Sequence, residues 1–94
     1  MEAIKEYPQP RNIVLNTVLD IIELQNAKIT FSDTPNGRIG FLVKFYANKW
    51  EHQFTVKEIG ENQTSVKIEI VNGTNAGEKQ LKREFALMDA LLVN

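Results

Sequence analysis

Apolar and polar residues alternate along the stretch from Arg38 to Lys57, RIGFLVKFYANKWEHQFTVK. A period of two is the mark of a sheet buried on one face, so the stretch predicts two long strands joined by a tight turn. Ile39, Phe41, Val43 and Phe45 share one face of the first strand, and Trp50, His52, Phe54 and Val56 share that face on the second. A turn at Ala47-Asn48 or at Asn48-Lys49 keeps both sets together, because the placements differ by a whole side-chain period.

The remaining elements build around this hairpin. Residues 2–7 alternate more weakly before Pro8 and Pro10, which predicts a short edge strand. From Pro10 to Asn26 the spacing turns helical: Val14, Leu15, Val18, Ile21 and Ile22 recur every three or four residues. Ile13, Leu19 and Leu24 widen that stripe and predict deep packing, with Asp20 and Glu23 outside. Lys28–Asp33 reads as a strand with Ile29 and Phe31 inward, followed by a turn at Thr34-Pro35-Asn36-Gly37. Keeping Ile29 and Phe31 on the face of Ile39 and Phe41 needs an odd loop, so Asp33–Gly37 is the expected connection. Gly40, in mid-strand, marks a bulge or bend.

After a turn at Ile59-Gly60-Glu61-Asn62, Gln63–Val71 turns Val66, Ile68 and Ile70 inward and Ser65, Lys67 and Glu69 outward. A second helix over about 76–92 follows, with Asn75 as cap and Glu78 as its capping-box partner. Leu81, Phe85, Met88 and Leu92 form its stripe, flanked by Leu87 and Leu91, while Lys79, Lys82, Arg83 and Asp89 lie outside. The cheapest burial for two one-sided helices and a one-sided sheet is an α+β two-layer sandwich: an antiparallel four- to five-stranded sheet with both helices on one face, in β-α-β4-α order.

This order resembles the fold of the TATA-box-binding protein repeat and of the helix-grip ligand carriers related to the birch-pollen allergen, and is similar to small bacterial domains of unknown function. The resemblance covers nearly the whole chain and rests on topology. Its helix-grip side implies a small hydrophobic ligand between the C-terminal helix and Trp50, Phe54 and Phe85.

Length and composition narrow the picture. Ninety-four residues predict a single domain, and 43% hydrophobic with 24% charged residues excludes wholesale disorder. The chain has no cysteine, which removes disulfides, thiolate catalysis and cysteine-based metal sites. The start MEAIKEYPQPRN lacks the apolar run of a signal or anchor, so a cytoplasmic location with no membrane contact is expected. The sequons at Asn62 and Asn72 read as turn chemistry.

Candidate chemistry is sparse. His52 is the only histidine and reads as a satisfied, partly buried core residue. Nothing places Glu51, Thr55, Glu58 or Ser65 in a nucleophile–base arrangement, and the scattered glycines form no phosphate loop. The chain is therefore expected not to be an enzyme, with no catalytic residue, cofactor or metal site. Net charge is only −1. Yet the outward sheet face collects Lys28, Arg38, Lys44, Lys49, Lys57 and Lys67 against Glu51 and Glu69, with Lys44 expected opposite Glu51 or Gln53. Leu42, Lys44, Tyr46, Lys67 and Val71 form the candidate interaction face. The leading expectation is a protein-interaction or self-assembly module, as a homodimer or with a protein partner. Binding of an anionic ligand or nucleic acid by the basic face is the alternative.

Overall fold

The computed structural model describes residues 1–45, 48–71 and 77–92; Tyr46, the Asn72 sequon, the Asn75 cap and the side chains of Phe45 and Asn48 lie outside the described residues. The elements are β1 (Glu2–Tyr7), α1 (Arg11–Leu24), β2 (Lys28–Asp33), β3 (Arg38–Phe45), β4 (Asn48–Gly60), β5 (Gln63–Ile70) and α2 (Gly77–Leu92). The strands form one antiparallel sheet in the order β1-β5-β4-β3-β2. This is the expected α+β sandwich in β-α-β4-α order. The helix α1 carries the chain from one edge strand to the other, packing on β4, β5 and α2, and α2 packs on β5 and β1.

Registers decide which residues share a face. In the β3–β4 hairpin Ile39 pairs with Phe54, Phe41 with His52 and Val43 with Trp50, so the expected inward sets hold. Pairing continues to Phe45 and Asn48, one register step from the nearer expected turn, so neither expected turn holds. The change is again a whole period along the ladder, so it leaves the faces intact while altering every cross-strand partner. Between β4 and β5, Asn62 takes a positive φ of 54° in the turn, where asparagine is well tolerated.

The β2 strand departs from expectation. Ile29 pairs with Phe41 on the inner face, but the register then shifts, and Phe31 pairs with Gly40 on the open face. Thr30 is the extra residue of a bulge, and a Cβ on Gly40 would stand 3.2 Å from Thr30 Oγ1 and 3.3 Å from Phe31 Cβ. The connection is accordingly the even one, with Asp33 opposite Arg38. Phe31 is thus corrected from inward to outward, and the Arg38 guanidinium sits 5.4 Å from its ring centre. Ile29 keeps the expected face yet stays 47% exposed, because neither helix packs closely on β2.

Both helices bury a narrower arc than their hydrophobicity suggested. On α1 the buried residues are Val14, Thr17, Val18, Ile21 and Ile22, whereas Ile13, Leu19 and Leu24 are exposed. On α2 the buried set is Gly77, Gln80, Leu81, Glu84, Met88 and Leu92, with Phe85 half-buried and Leu91 exposed. The inward arc is therefore rotated toward Gln80 and Glu84.

A polar clamp joins the two ends of the chain. The Tyr7 hydroxyl donates to Asp89 Oδ1 at 2.8 Å, Lys5 Nζ donates to Oδ2 at 2.6 Å, and Gln9 Nε2 donates to the Leu92 carbonyl at 2.6 Å. Burial raises the Asp89 carboxyl, but the bonds from Lys5 and Tyr7 outweigh it and hold the group below its ordinary range. Burial, with Asp89 behind it, pushes the Tyr7 phenol above its ordinary value. Tyr7→Phe, which removes one charge-assisted bond, is expected to cost about 1–2 kcal/mol, read as a lower urea midpoint at unchanged slope.

Candidate functional site

The site begins at the end of α1. Gln25 closes the helix, and Asn26 takes the left-handed conformation at φ 53°. The Asn26 amide donates to the Glu23 carbonyl and the Ala27 amide to the Ile22 carbonyl, each at 3.0 Å, the paired bonds of a Schellman stop. This stop turns the chain into β2 and sets Gln25 and Asn26 beside Lys28, Leu42 and Lys44. Together these five residues line a groove of about 360 Å³.

The charge at its rim follows from the hairpin register. Lys44 lies opposite Lys49, and Leu42 opposite both Lys28 and Glu51. The expected partner for Lys44 is therefore corrected: the displaced register gives it another lysine instead of Glu51 or Gln53. Like charges directly opposite cost stability. Among the described residues no carboxylate lies within ion-pair distance of Lys28, Lys44 or Lys49.

Behind the groove the interior is polar. Gln25 Nε2 donates to the Ile21 carbonyl at 3.2 Å and to Glu84 Oε1 at 2.7 Å, which occupies both amide hydrogens. Gln25 Oε1 and Glu84 Oε2 are buried without a hydrogen-bond partner among the described residues. Glu84 is fully buried. Desolvation raises its carboxyl to about 7, against smaller lowering effects from the Gln25 bond and the Arg83 charge. A carboxyl poised near neutrality is an unusual group to keep inside a small sandwich.

His52 is the second buried titratable group. Its ring stacks on Phe41, centroids 5.0 Å apart and planes at 4°. The Trp50 carbonyl, 3.0 Å from Nδ1, can only accept, so the proton sits on Nδ1 and leaves Nε2 as an acceptor. Nε2 has no partner among the described residues. The satisfied, partly buried histidine expected from sequence is corrected on both counts: the ring is fully buried and one nitrogen is unbonded. Desolvation lowers its pKa to about 4, opposed by the Trp50 bond and helped by Arg83.

Of the predicted interaction face, the structure gathers Leu42 and Lys44 at the groove. Val71 is in the same row, its amide donating to the Glu51 carbonyl at 3.0 Å, so that Glu51 separates it from Leu42. Lys67 stands apart on β5 and pairs with Glu2 at 3.2 Å. The open face also carries Glu2 and Glu6 of β1 and Asp33 of β2, so carboxylates interrupt its basic residues, among them Arg38 and Lys57, away from the groove. Gln25 and Glu84 escaped sequence reasoning. Glu84 shares the three- and four-residue spacing of Leu81 and Met88, and that spacing was the available signal. A second groove, of about 330 Å³, lies between Asp20, Glu23 and Leu24 of α1 and Leu91 of α2. Neither groove is lined by Trp50, Phe54 or Phe85. Among the described residues no helix is long and apolar enough to cross a membrane, and no three His, Asp or Glu side chains group as metal ligands.

The fold is a helix-grip-like α+β sandwich in β-α-β4-α order. No family model and no curated protein matches the chain. Among solved structures it is similar to the di-domain ARO/CYC StfQ from the steffimycin biosynthetic pathway, at a TM-score of 0.54 and 13% identity. The match covers 97% of this chain and 44% of that one, so the chain spans less than half the neighbour's length. At this identity the likeness is one of fold. It nevertheless corrects the expectation of a non-enzyme: the same sandwich carries a cyclase in the neighbour, and a missing catalytic motif does not take the chain out of that class.

Proposed function

We propose that the chain is a small-ligand-binding domain whose groove at the α1–β2 junction takes an organic anion, with Lys28 and Lys44 holding the charge and Leu42 the apolar body. One observation carries this reading: Lys44 is set opposite Lys49, with Lys28 beside Leu42, at the rim of a groove of about 360 Å³. An arrangement that costs stability in the free protein becomes favourable once an anion sits among the three charges. The likeness to an ARO/CYC supports a small organic molecule over a macromolecule as the occupant. Glu84 acts as a positioning residue here: with both Gln25 amide hydrogens engaged by Ile21 and Glu84, the ligand meets a groove wall of fixed orientation.

The probe is 8-anilinonaphthalene-1-sulfonate, an anion on an aromatic body. It is expected to bind in a salt-sensitive way, with amide shift changes at Gln25, Leu42 and Lys44, and the Lys28→Ala/Lys44→Ala variant should weaken it about ten-fold. Unchanged affinity in that variant, or shifts centred on Leu24 and Leu91, would show the reading to be wrong.

A further inference from the structure

The two edges of the sheet differ in how they would meet a copy of themselves. Both β1 and β2 end the sheet, and each presents one unpaired row of backbone groups. On the open face β1 carries Glu2, Ile4 and Glu6, paired with Glu69, Lys67 and Ser65 of β5. Antiparallel pairing of β1 with a second β1 about Ile4 would set Glu2 against Glu6 at both ends, a like-charge contact that opposes association.

At β2 the same operation has the opposite sign. Lys28 and Asp33 stand at the two ends of the strand, Lys28 opposite Leu42 and Asp33 opposite Arg38, both on the open face. In a regular strand residues five apart point to opposite faces. The bulge at Thr30 supplies the extra residue that returns Asp33 to the face of Lys28. The face-matched register that pairs the whole length of β2 therefore sets Lys28 against Asp33 of a second copy and Asp33 against its Lys28, with Ile29 against Ser32 on the inner side. Asn36 Nδ2, donating to Asp33 Oδ2 at 2.7 Å, holds that carboxylate at the strand end. Ile29 and Phe31, 47% and 44% exposed, supply the apolar surface beside the new ladder.

We propose that β2 pairs antiparallel with β2 of a second copy, giving a two-fold dimer with one sheet running through both chains and a Lys28–Asp33 ion pair at each end of the junction. A six-residue ladder with little side-chain burial makes a weak dimer, populated near a protein concentration of about 100 µM.

Sedimentation equilibrium over a concentration series tests this, with circular dichroism confirming that each variant is folded. The parent chain should double in mass. Asp33→Lys should hold it monomeric by setting lysine against lysine, and Lys28→Asp/Asp33→Lys should restore the dimer by exchanging the charges. Because the chain has no cysteine, a nitroxide on Ser32→Cys gives an independent reading: the bulge leaves Ile29 and Ser32 two ladder positions apart, so the two labelled Cα atoms stand about 8 Å apart in this register. A mass that stays monomeric at about 1 mM, a dimer untouched by Asp33→Lys, or a charge-exchanged variant that stays monomeric each overturns the proposal. The readouts are mass and spin distance, so they stand whether or not the groove binds an anion.

Discussion

Gly37→Ala is expected to lower stability by about 3 kcal/mol or more, a fall of at least about 12 °C in Tm for a chain of this size. Gly37 follows the short helical turn Thr34–Asn36 and sits at φ 68°, ψ 26°, in the left-handed region. That conformation costs alanine about 1–2 kcal/mol relative to glycine. Steric contact costs more. A Cβ at this position would stand 2.1 Å from the Val56 carbonyl oxygen, and the Arg11 guanidinium closes the other side at 3.3 Å. Val56 cannot retreat cheaply, because its amide donates to the Gly37 carbonyl at 2.7 Å and its side chain is buried in the core. Gly37→Asn separates the two causes. Asparagine tolerates the left-handed backbone but still carries a Cβ, so it should lose nearly as much as alanine. Thermal unfolding of both variants decides the matter: a Tm within a few degrees of the parent for Gly37→Ala would mean that the turn yields where this packing says it does not.

The same junction shows how far alternation can be read. The inward sets of β3 and β4 were legible because an error of one turn residue moves the register by a whole period, which preserves faces. Partners are less forgiving. Lys44 gained Lys49 in place of Glu51 or Gln53 through that shift, and with it the electrostatic character of the groove. Gly40 was readable as a bulge marker, but the extra residue lies on the neighbouring strand, at Thr30, and one-dimensional alternation does not say which strand takes it. On the helices, hydrophobicity reported what can be buried and not what is covered. Ile13, Leu19 and Leu24 belong to a stripe wider than the sheet beneath α1, and stay exposed. Glu84 is the converse, a position inside the buried arc of α2 by spacing and outside it by residue type. Only the packed structure shows that spacing won and that Gln25 came with it.

Glu84 and His52 are expected to conceal one another in the pH dependence of stability, and removing either should uncover a change of about 3 kcal/mol from the other. Burial raises the Glu84 carboxyl from an ordinary 4.5 to about 7. Between those values the folded chain holds a proton that the unfolded chain has released, so stability falls as pH rises through this window. Burial lowers His52 from 6.5 to about 4. There the unfolded chain binds the extra proton, so stability rises with pH across that window. The slopes are opposite and overlap from 4.5 to 6.5, where the parent should be nearly flat. Glu84→Gln leaves His52 alone and should make stability climb steadily from about pH 4 to 6.5, while relieving the buried charge at about pH 8. His52→Phe keeps the stack on Phe41 and should make stability fall from pH 4.5 to about 7. Asp89, held below its ordinary 3.8, adds a loss at still lower pH that all three proteins share and that cancels in the differences. Urea unfolding at steps from about pH 4 to about pH 8 measures each curve. Three superimposable profiles would mean that neither group changes its proton affinity on folding. Opposed slopes in the two variants would place a neutral imidazole and a near-neutral carboxyl inside the sandwich, the carboxyl bonded to the glutamine that lines the groove.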